Sequence, residues 1–356
     1  MSSTTGLATR LIVTSFANSR TKPPTAAPPP QNSTKALTDA LIEAASTSHP
    51  SFSQILQHTP PQILHHTTHI TQYTWPLPSS HPWTPISPLR HTPFIKSFEF
   101  VQDVELIIDL SPTPSSPNST TATTQAGRPI RLAVFDMDST LITQEIIDEL
   151  ARSINATAAV SAITSRAMNG EIDFAESLRQ RVGMLRGVRV PDVWEDLKRS
   201  ITIAPGAREL IAALKAGGCV TAVVSGGFIP MAEWLKEELG LDYAVANVLQ
   251  TAPADGEMGY EHLTGELDPA APIVTPELKR TTLLELAERH GVPVAETFCV
   301  GDGSNDLLML QAAGVGVAWN AKARVQERAP MRLNGGTLAD LLFLFDGEAT
   351  GGGGGG

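Results

Sequence analysis

Apolar and polar residues alternate along residues 129–348 in a pattern that predicts short buried strands separated by helices. Four almost wholly apolar segments are typical of strands covered on both faces of a parallel sheet: 130–135, 219–225, 297–300 and 315–318. Helical segments are predicted at 205–217, 230–239, 276–290 and 305–312. Strands that alternate with helices predict an α/β fold with a doubly wound parallel sheet.

Two segments interrupt this alternation. A helical stretch from about residue 146 to about residue 203 lies between the first two strands and predicts a helical cap inserted beside the sheet. The segment 245–268 has a hairpin-like pattern.

The first 111 residues differ in character, since they are rich in proline, serine, threonine and histidine. The pattern predicts a strand at 10–16, a proline loop at 22–33, a helix at 35–47 and a strand over 97–110 that breaks at Gln102 and Asp103. We therefore expect a small α+β domain over 1–111 and a Pro/Ser/Thr linker at 112–128. The main domain then covers 129–348, and the glycine-rich tail at 349–356 is expected to be disordered.

Charge is divided unevenly along the chain. The formal net charge is −11, with about +3 on residues 1–100 and about −14 on residues 101–356. Proteins that bind nucleic acid or anionic membranes normally have the opposite balance, so neither partner is expected. In addition, no apolar run approaches the roughly 20 residues that span a bilayer.

The two cysteines, Cys219 and Cys299, each lie in an apolar strand-like segment. This placement predicts buried, reduced thiols and argues against a disulfide framework. The N-terminus lacks acidic residues before Asp39 and carries scattered Lys and Arg, as an organellar transit peptide does. Because β-branched residues favour a strand at 10–16, we expect a cytoplasmic protein instead.

Polar residues stand directly after three of the predicted strands. Asp136 and Asp138 follow the first, Ser225, Gly226 and Gly227 the second, and Asp302, Asn305 and Asp306 the third. The carboxyl ends of parallel strands meet at one edge of the sheet, where active sites of open α/β folds form. The predicted helix at 276–290 adds Lys279 to this set.

The chemistry of this set points to a phosphoryl group. Several carboxylates in one cleft repel one another unless a divalent cation is present, and oxygen ligands alone favour Mg²⁺. Glycines allow backbone N–H groups to approach an anion closely, while Ser225 and Lys279 supply a hydroxyl donor and a positive charge. A metal, amides and a lysine together match a phosphoryl group.

The order of these residues resembles the haloacid dehalogenase superfamily of phosphohydrolases. The nearer resemblance is to its phosphoserine phosphatases, through DMDSTLITQE, RAMNGEIDFAESLRQRV, VVSGGF, GLDYAVAN, VGDGSNDLLML and AWNAKARVQ. It covers about residues 129–345 and implies Mg²⁺-dependent hydrolysis of O-phospho-L-serine, the last step of serine biosynthesis. Several members carry a small ACT-like regulatory domain in front, and residues 1–111 are expected to form a degenerate version.

The resemblance also implies catalytic roles. Asp136 attacks phosphorus and forms an aspartyl-phosphate. Asp138 protonates the departing seryl oxygen and then acts as base on water. Mg²⁺ is held by the Asp136 carboxylate, the Asp138 backbone carbonyl and Asp302. The phosphoryl oxygens are held by Ser225, Gly226 and Lys279. Asn305 helps to order the phosphate or water, and Asp306 supports the metal and the lysine without contacting the substrate.

Glu145, Phe174 and Arg181, in or beside the predicted cap, are expected to select the substrate. Phosphoserine has an ammonium that suits Glu145 and a carboxylate that suits a forked contact with Arg181. Phe174 lies two helical turns before Arg181 on the same face. The alternative for Arg181 is an ion pair on the helix surface. The alternative for Phe174 is a place in the core of the cap.

Two other functions stay open on the sequence. One is a phosphatase of the same superfamily for a substrate without a carboxylate, such as phosphoethanolamine. The other is a non-catalytic sensor of amino acids. The partner is in each case a small molecule, and a homodimer is left open.

Overall fold

The computed structural model describes residues 9–17, 31–48, 50–66, 70–77, 89, 92–102, 104–112, 130–190, 192–253 and 260–344. The elements of its N-terminal part are β1 (Thr9–Ala17), α1 (Gln31–Ser48), α2 (Pro50–His58), β2 (Gln62–His66), β3 (Ile70–Leu77), α3 (Pro93–Gln102) and β4 (Val104–Pro112). The strands form an antiparallel sheet in the order β2-β3-β1-β4. Buried side chains of the sheet and helices, including Leu11, Trp75 and Leu41, form a core of their own.

Helix α3 corrects one prediction from the sequence. Residues 97–102 were expected to begin a strand, because the FEFV segment alternates apolar and polar residues. The structure places them in the helix that begins at Pro93, a favoured residue for the first helical position. Ile95 and Phe98 are both buried, and their spacing of three residues follows the helical period. Residues 31–33 of the predicted proline loop belong to α1, which begins at Gln31, and residues 22–30 lie outside the described residues.

The second part of the chain supplies the remaining elements. They are β5 (Leu132–Phe135), α4 (Ile146–Ser153), α5 (Thr157–Met168), α6 (Phe174–Gly183), β6 (Arg189–Val190), α7 (Asp192–Ser200), α8 (Ala207–Ala216), β7 (Val220–Phe228), α9 (Ile229–Leu239), β8 (Tyr243–Asn247), β9 (Leu249–Pro253), β10 (Glu261–Leu267), α10 (Pro276–Arg289), β11 (Thr297–Gly301), α11 (Leu307–Ala312), β12 (Val315–Trp319), α12 (Ala323–Gln326) and β13 (Met331–Leu333).

A parallel sheet in the order β13-β12-β11-β5-β7-β8 organises this part. Successive residues of β5 point to opposite faces, so Ala133 and Phe135 join one apolar cluster while Leu132 and Val134 join another. Helices cover both clusters, which is why the strands are apolar throughout. The predicted α/β doubly wound fold is confirmed.

Helices α4 to α7 lie between β5 and α8 in the chain, within the segment predicted to be a cap. Beside them, β6, β10 and β9 form a small antiparallel sheet. The predicted hairpin at 245–268 is the β9–β10 pair, but residues 245–247 belong instead to β8 of the parallel sheet.

Cys219 and Cys299 are both buried and unpaired, as expected. Burial raises the pKa of the Cys219 thiol to about 12. Within the described ranges, no helix has both the length and the apolar character that crossing a membrane requires. Of the predicted linker, Pro112 is the last residue of β4, and the rest of the linker and the glycine tail lie outside the described residues.

A buried ion pair joins the N-terminal sheet to the parallel sheet. Glu99 of α3 accepts a hydrogen bond from the backbone N of Leu106 at 2.9 Å and pairs with Arg332 of β13. Both side chains are largely removed from solvent. The contact places β4 beside β13, the edge strand of the parallel sheet.

The packing of β12 against α11 can be tested at Gly316 of β12. A Cβ atom at Gly316 would lie 2.0 Å from the backbone oxygen of Leu310 in α11, so Gly316→Ala forces strand and helix apart. We expect the free energy of unfolding in urea to fall by about 1–3 kcal/mol. Gly183→Ala, at an exposed helical position whose nearest neighbour is 4.0 Å away, is the matched control and should not destabilise the protein. Equal losses in the two variants would contradict the packing described.

Candidate active site

The carboxyl ends of β5, β7 and β11 meet at one edge of the parallel sheet, as predicted. Asp136 and Asp138 follow β5, and Ser225 lies near the end of β7. The loop after β11 carries Asp302 and Asp306, and α10 directs Lys279 into the same place. Residues up to 170 positions apart in the chain thus form one cluster of charged groups.

Lys279 lies at the centre of this cluster and is 0 % exposed. Its Nζ atom is 2.7 Å from Oδ1 of Asp136 and 2.8 Å from Oδ1 of Asp306. Burial alone would lower the pKa of Lys279, but the two carboxylates outweigh it and hold the pKa above its ordinary value. The ammonium is therefore permanently charged and fixes the two carboxylates in position.

The cluster contains more negative than positive charge. Carboxylate oxygens of Asp136, Asp302 and Asp306 lie within 4.8 Å of one another. Burial, together with repulsion from Asp306 and Asp302, raises the pKa of Asp136 well above its ordinary value. Burial and the charge of Asp306 likewise raise the pKa of Asp302 from 3.8 to about 7. One lysine does not neutralise three carboxylates, and a divalent cation would remove the excess.

The donor atoms fit a hard metal ion. Both oxygens of Asp306 are already used, since Oδ1 accepts from Lys279 and Oδ2 accepts from the backbone N of Gly303 at 2.9 Å. In Asp136, Oδ1 accepts from Met137 N, and Oδ2 accepts no hydrogen bond from any described residue. Asp302 accepts a long hydrogen bond of 3.5 Å from the Thr140 hydroxyl and one from its own backbone N–H, and it forms no ion pair with the described residues. Asp136 and Asp302 therefore offer oxygen ligands, while Asp306 holds the cluster together.

Asp138 is suited to hold and transfer a proton. Its Oδ1 atom is buried and has no hydrogen-bond partner among the described residues. Burial, and then the charge of Glu145, raises the pKa of Asp138 well above its ordinary value. A raised pKa favours the protonated form of the carboxyl group, and the protonated form is able to act as a general acid. Its position two residues after Asp136 places this proton beside the carboxylate cluster.

The Ser225–Gly227 segment lies where the pairing of β7 with β8 shifts its register. The backbone N of Gly227 donates to Ser225 Oγ at 2.8 Å. A Cβ atom at Gly227 would lie 2.8 Å from Met137 Cε and 3.2 Å from Asp138 Oδ2, so a larger residue there would displace the Met137 side chain beside Asp138. A Cβ atom placed on Gly226 would lie 3.8 Å from Asn305 Nδ2. The predicted Ser225, Gly226 and Asn305 are thus brought together.

The helix α6 covers this segment from the other side. Phe174, its first residue, is partly buried, and its Cζ atom lies 3.2 Å from the position of a Cβ atom on Gly226. The predicted Phe174 therefore contacts the loop as well as the apolar cluster behind it. Both the substrate-contact and the core interpretation of Phe174 agree with this position.

Arg181 and Glu145 form a charged wall of the cleft. Arg181, partly buried on α6, donates from Nε to the backbone oxygen of Ser177 at 3.3 Å and forms no ion pair with the described residues. Burial lowers its pKa, and the negative charges of Asp148, Glu145 and Asp138 oppose this. The alternative of a surface ion pair for Arg181 finds no partner within 4.0 Å among the described residues.

Glu145, directly before α4, accepts a hydrogen bond from the Ser139 hydroxyl at 2.7 Å. Although its side chain reaches solvent, the surrounding protein desolvates the carboxylate enough to raise its pKa, and the Ser139 hydrogen bond limits the rise. The cation on Arg181 and the anion on Glu145 interact electrostatically above the cluster. Together they can bind a small molecule that carries charges of both signs.

Sequence reasoning missed two residues of this site. Asn247, the last residue of β8, is buried and contacts the Gly226–Gly227 segment through its side chain. Ser139 has a φ of 54°, which is uncommon for a residue with a side chain, and holds Glu145. A polar residue at the end of an apolar strand was the available signal for Asn247.

Comparisons with known proteins agree with this geometry. A family model for haloacid dehalogenase-like hydrolases matches residues 130–314. The chain belongs to this family. It is 49 % identical over 211 residues to a phosphoserine phosphatase of Idiomarina loihiensis, covering 59 % of this chain and 91 % of that protein.

Two solved structures extend the likeness of this haloacid dehalogenase-like hydrolase. A phosphoserine phosphatase described as substrate-bound is 39 % identical, with a TM-score of 0.53, 60 % of this chain covered and 96 % of the other. A haloacid dehalogenase family hydrolase of Salmonella enterica serovar Typhi is 26 % identical, with a TM-score of 0.67. That match covers 95 % of this chain and 99 % of the other, so it includes the N-terminal sheet.

The raised pKa of Asp302 predicts how metal binding depends on pH. Because this pKa is higher in the folded than in the unfolded protein, the stability that protonated Asp302 contributes is lost as pH rises from about 4 to about 7. A cation binds the ionised form and restores it. We expect millimolar Mg²⁺ to raise the melting temperature more at pH 8 than at pH 6.

The variant Asp302→Asn should lose most of this Mg²⁺ effect at both pH values. Asp196→Asn, which removes an exposed carboxylate on α7, is the control and should retain it. An equal Mg²⁺ effect at pH 6 and pH 8, unchanged in Asp302→Asn, would argue against a metal at this cluster.

Proposed function

We propose that the chain is a Mg²⁺-dependent phosphoserine phosphatase that hydrolyses O-phospho-L-serine to L-serine and phosphate through an aspartyl-phosphate. The observation that carries the proposal is the pair of opposite charges, Arg181 and Glu145, above a carboxylate cluster that contains a buried lysine. The cluster suits a phosphoryl group, and the pair suits the carboxylate and ammonium of an amino acid. The name printed for the Idiomarina relative supports the same substrate.

Asp136 is the proposed nucleophile. The backbone N of Met137 and the ammonium of Lys279 hold its Oδ1, which fixes the carboxylate for in-line attack on phosphorus. As the O–P bond to Asp136 forms, the bond from phosphorus to the seryl oxygen breaks, and an aspartyl-phosphate results. Mg²⁺, held by Asp136, Asp302 and the backbone carbonyl of Asp138, would offset the negative charge that gathers on the phosphoryl oxygens.

Asp138 is the proposed acid and base. In its protonated form it donates to the seryl oxygen as this leaves, which avoids an alkoxide. The resulting carboxylate then takes a proton from the water that attacks the aspartyl-phosphate, so each turnover restores the starting state. The burial that raises the pKa of Asp138 supports this use of one group in both steps.

Ser225, the backbone of Gly226 and Lys279 are proposed to bind the phosphoryl oxygens, with Asn305 beside them and Asp306 holding Lys279. Phe174 above Gly226 closes the cleft over this group and limits the access of water. Arg181 and Glu145 bind the two charged groups of the serine portion. The substrate is thereby fixed at three points, which suits selection of phosphoserine over smaller phosphomonoesters.

Formation of the aspartyl-phosphate tests the nucleophile. The protein is mixed with phosphoserine that carries the radiolabel in its phosphoryl group, and the reaction is quenched in acid within the first turnover. Label should stay on the wild-type protein, and neutral hydroxylamine should remove it. Asp136→Asn should carry no label, because an amide does not attack phosphorus, and its phosphate release should fall to background. Asp196→Asn should behave as wild type. Label that persists in Asp136→Asn would place the nucleophile elsewhere.

Arg181→Ala tests the substrate. We expect kcat/KM for phosphoserine to fall by about 10- to 100-fold, because a hydrogen bond to a charged group contributes roughly 1.5–3 kcal/mol. Turnover of phosphoethanolamine, which lacks a carboxylate, should not change. The control Arg179→Ala removes an exposed arginine of the same helix that pairs with Glu176.

The steady-state panel of phosphoserine and phosphoethanolamine, with Mg²⁺ or with a chelator, separates the alternatives. Phosphoethanolamine as the better substrate, with no effect of Arg181→Ala, would favour the other phosphatase. No phosphate release from any phosphomonoester with Mg²⁺ present would favour the amino-acid sensor.

A further inference from the structure

Asn247, the last residue of β8, makes three hydrogen bonds although it is only 1 % exposed. Its Nδ2 atom donates to the backbone oxygens of Gly226 at 2.8 Å and Gly227 at 3.3 Å. Its Oδ1 atom accepts from the backbone N of Val274 at 2.8 Å. This one side chain therefore joins three segments that are separate in the chain.

The chemistry of the partners determines the orientation of the amide. Two of them are carbonyl oxygens, which only accept hydrogen bonds, and the third is an N–H group, which only donates. Only an amide with its NH₂ towards the glycines and its oxygen towards Val274 satisfies all three. Aspartate, leucine and serine cannot replace this pattern, since none combines two donors with an acceptor at that distance.

The bond to Gly226 also determines the position of Ser225. The oxygen of Gly226 and the N–H of Gly227 belong to one planar peptide unit and point in opposite directions. Because Asn247 holds the oxygen, the N–H is directed to Ser225 Oγ, where it donates at 2.8 Å. That hydroxyl oxygen already accepts a hydrogen bond, and its own proton is left to donate into the site.

The bond to Val274 extends this control to Lys279. Val274 precedes Thr275, whose hydroxyl caps α10 by accepting from Leu278 N. Lys279 follows within the first turns of α10, with Nζ between Asp136 and Asp306. The amide of Asn247 thus links the start of the helix that carries the cation to the segment that carries the hydroxyl.

We propose that Asn247 is a positioning residue that sets the Ser225 hydroxyl and the Lys279 ammonium at the separation required by one phosphoryl group. It contacts neither the phosphoryl group nor the metal, and it acts through the Gly226–Gly227 peptide and the start of α10. The inference rests on the proposed function only in taking a phosphoryl group as the ligand, and it does not depend on serine as the alcohol.

Asn247→Asp is the most selective variant. It keeps the oxygen that accepts from Val274 and replaces the NH₂ with an oxygen that faces two carbonyl oxygens. We expect binding of inorganic phosphate, measured by calorimetry with Mg²⁺ present, to weaken about tenfold or more. We expect kcat/KM to fall by about 10²-fold, the loss typical of a misplacement of about 1 Å. Asn247→Ser, whose shorter side chain does not reach the glycine oxygens, should also weaken phosphate binding and provides a second variant if Asn247→Asp does not fold.

Asp242→Ala is the matched control. Asp242 connects β7 to the segment before β8 at the opposite end of the sheet, where it accepts from Thr221 N at 2.8 Å and from the Thr221 hydroxyl at 2.9 Å. Its loss should lower the melting temperature and leave the phosphate affinity unchanged. A merely structural role for Asn247 would give the same result in Asn247→Asp, and this outcome would overturn the inference.

The measurements separate the two proposals. Wild-type protein that binds phosphate but does not hydrolyse phosphoserine would contradict the proposed substrate, and the comparison of Asn247→Asp with Asp242→Ala would still decide the role of Asn247. Wild-type protein that binds no phosphate with Mg²⁺ present would overturn the inference as well.

Discussion

The rest of the site depends on a buried ammonium between two carboxylates. Moving charges out of water is costly unless each finds a partner, and Lys279 finds Asp136 and Asp306 at 2.7 and 2.8 Å. A third carboxylate, Asp302, forms no ion pair with the described residues, and burial together with the charge of Asp306 raises its pKa to about 7. The cluster therefore has an excess of negative charge that a divalent metal ion is suited to neutralise. Because its members follow two different strands, β5 and β11, and lie on the helix α10, the cluster forms only in the complete fold.

The parallel sheet makes this concentration of charge tolerable. Its strands are largely apolar on both faces, so helices pack against them, and the charged groups of the site lie at the carboxyl edge. At that edge the β7–β8 pairing is irregular between Val224 and Phe228, which frees the Ser225–Gly227 segment from the regular ladder. Side chains must then replace the missing backbone hydrogen bonds. Asn247 does so with an amide, and Ser225 does so with its hydroxyl.

Much of the site could be predicted because its residues follow strands that are visible in the sequence. Asp136, Ser225 and Asp302 each come after an apolar run, and the rule for parallel sheets brings such ends together. Asn247 was missed since its importance arises from a shift in strand register and from Val274, neither of which periodicity reveals. Part of α3 was predicted as a strand because the FEFV segment alternates apolar and polar residues. The same segment also fits the helical period, and the burial of Ile95 one turn earlier stabilises the helix.

The net charge of the chain gives little information about its ligand, and the reason lies in how charges are distributed around the cleft. An acidic chain would repel an anionic substrate if the charge were spread evenly, yet field strength at the site depends on near groups in a partly desolvated space. There Lys279 is held by Asp136 in the carboxylate cluster, and Arg181 of α6 lies beside the cleft without an ion-pair partner among the described residues. The raised pKa of Asp138 favours its protonated form, which further reduces the negative charge that a substrate meets. The cleft therefore accepts an anion because Lys279 and Arg181 lie close to it, whereas carboxylates on the solvated surface are farther away and screened by salt.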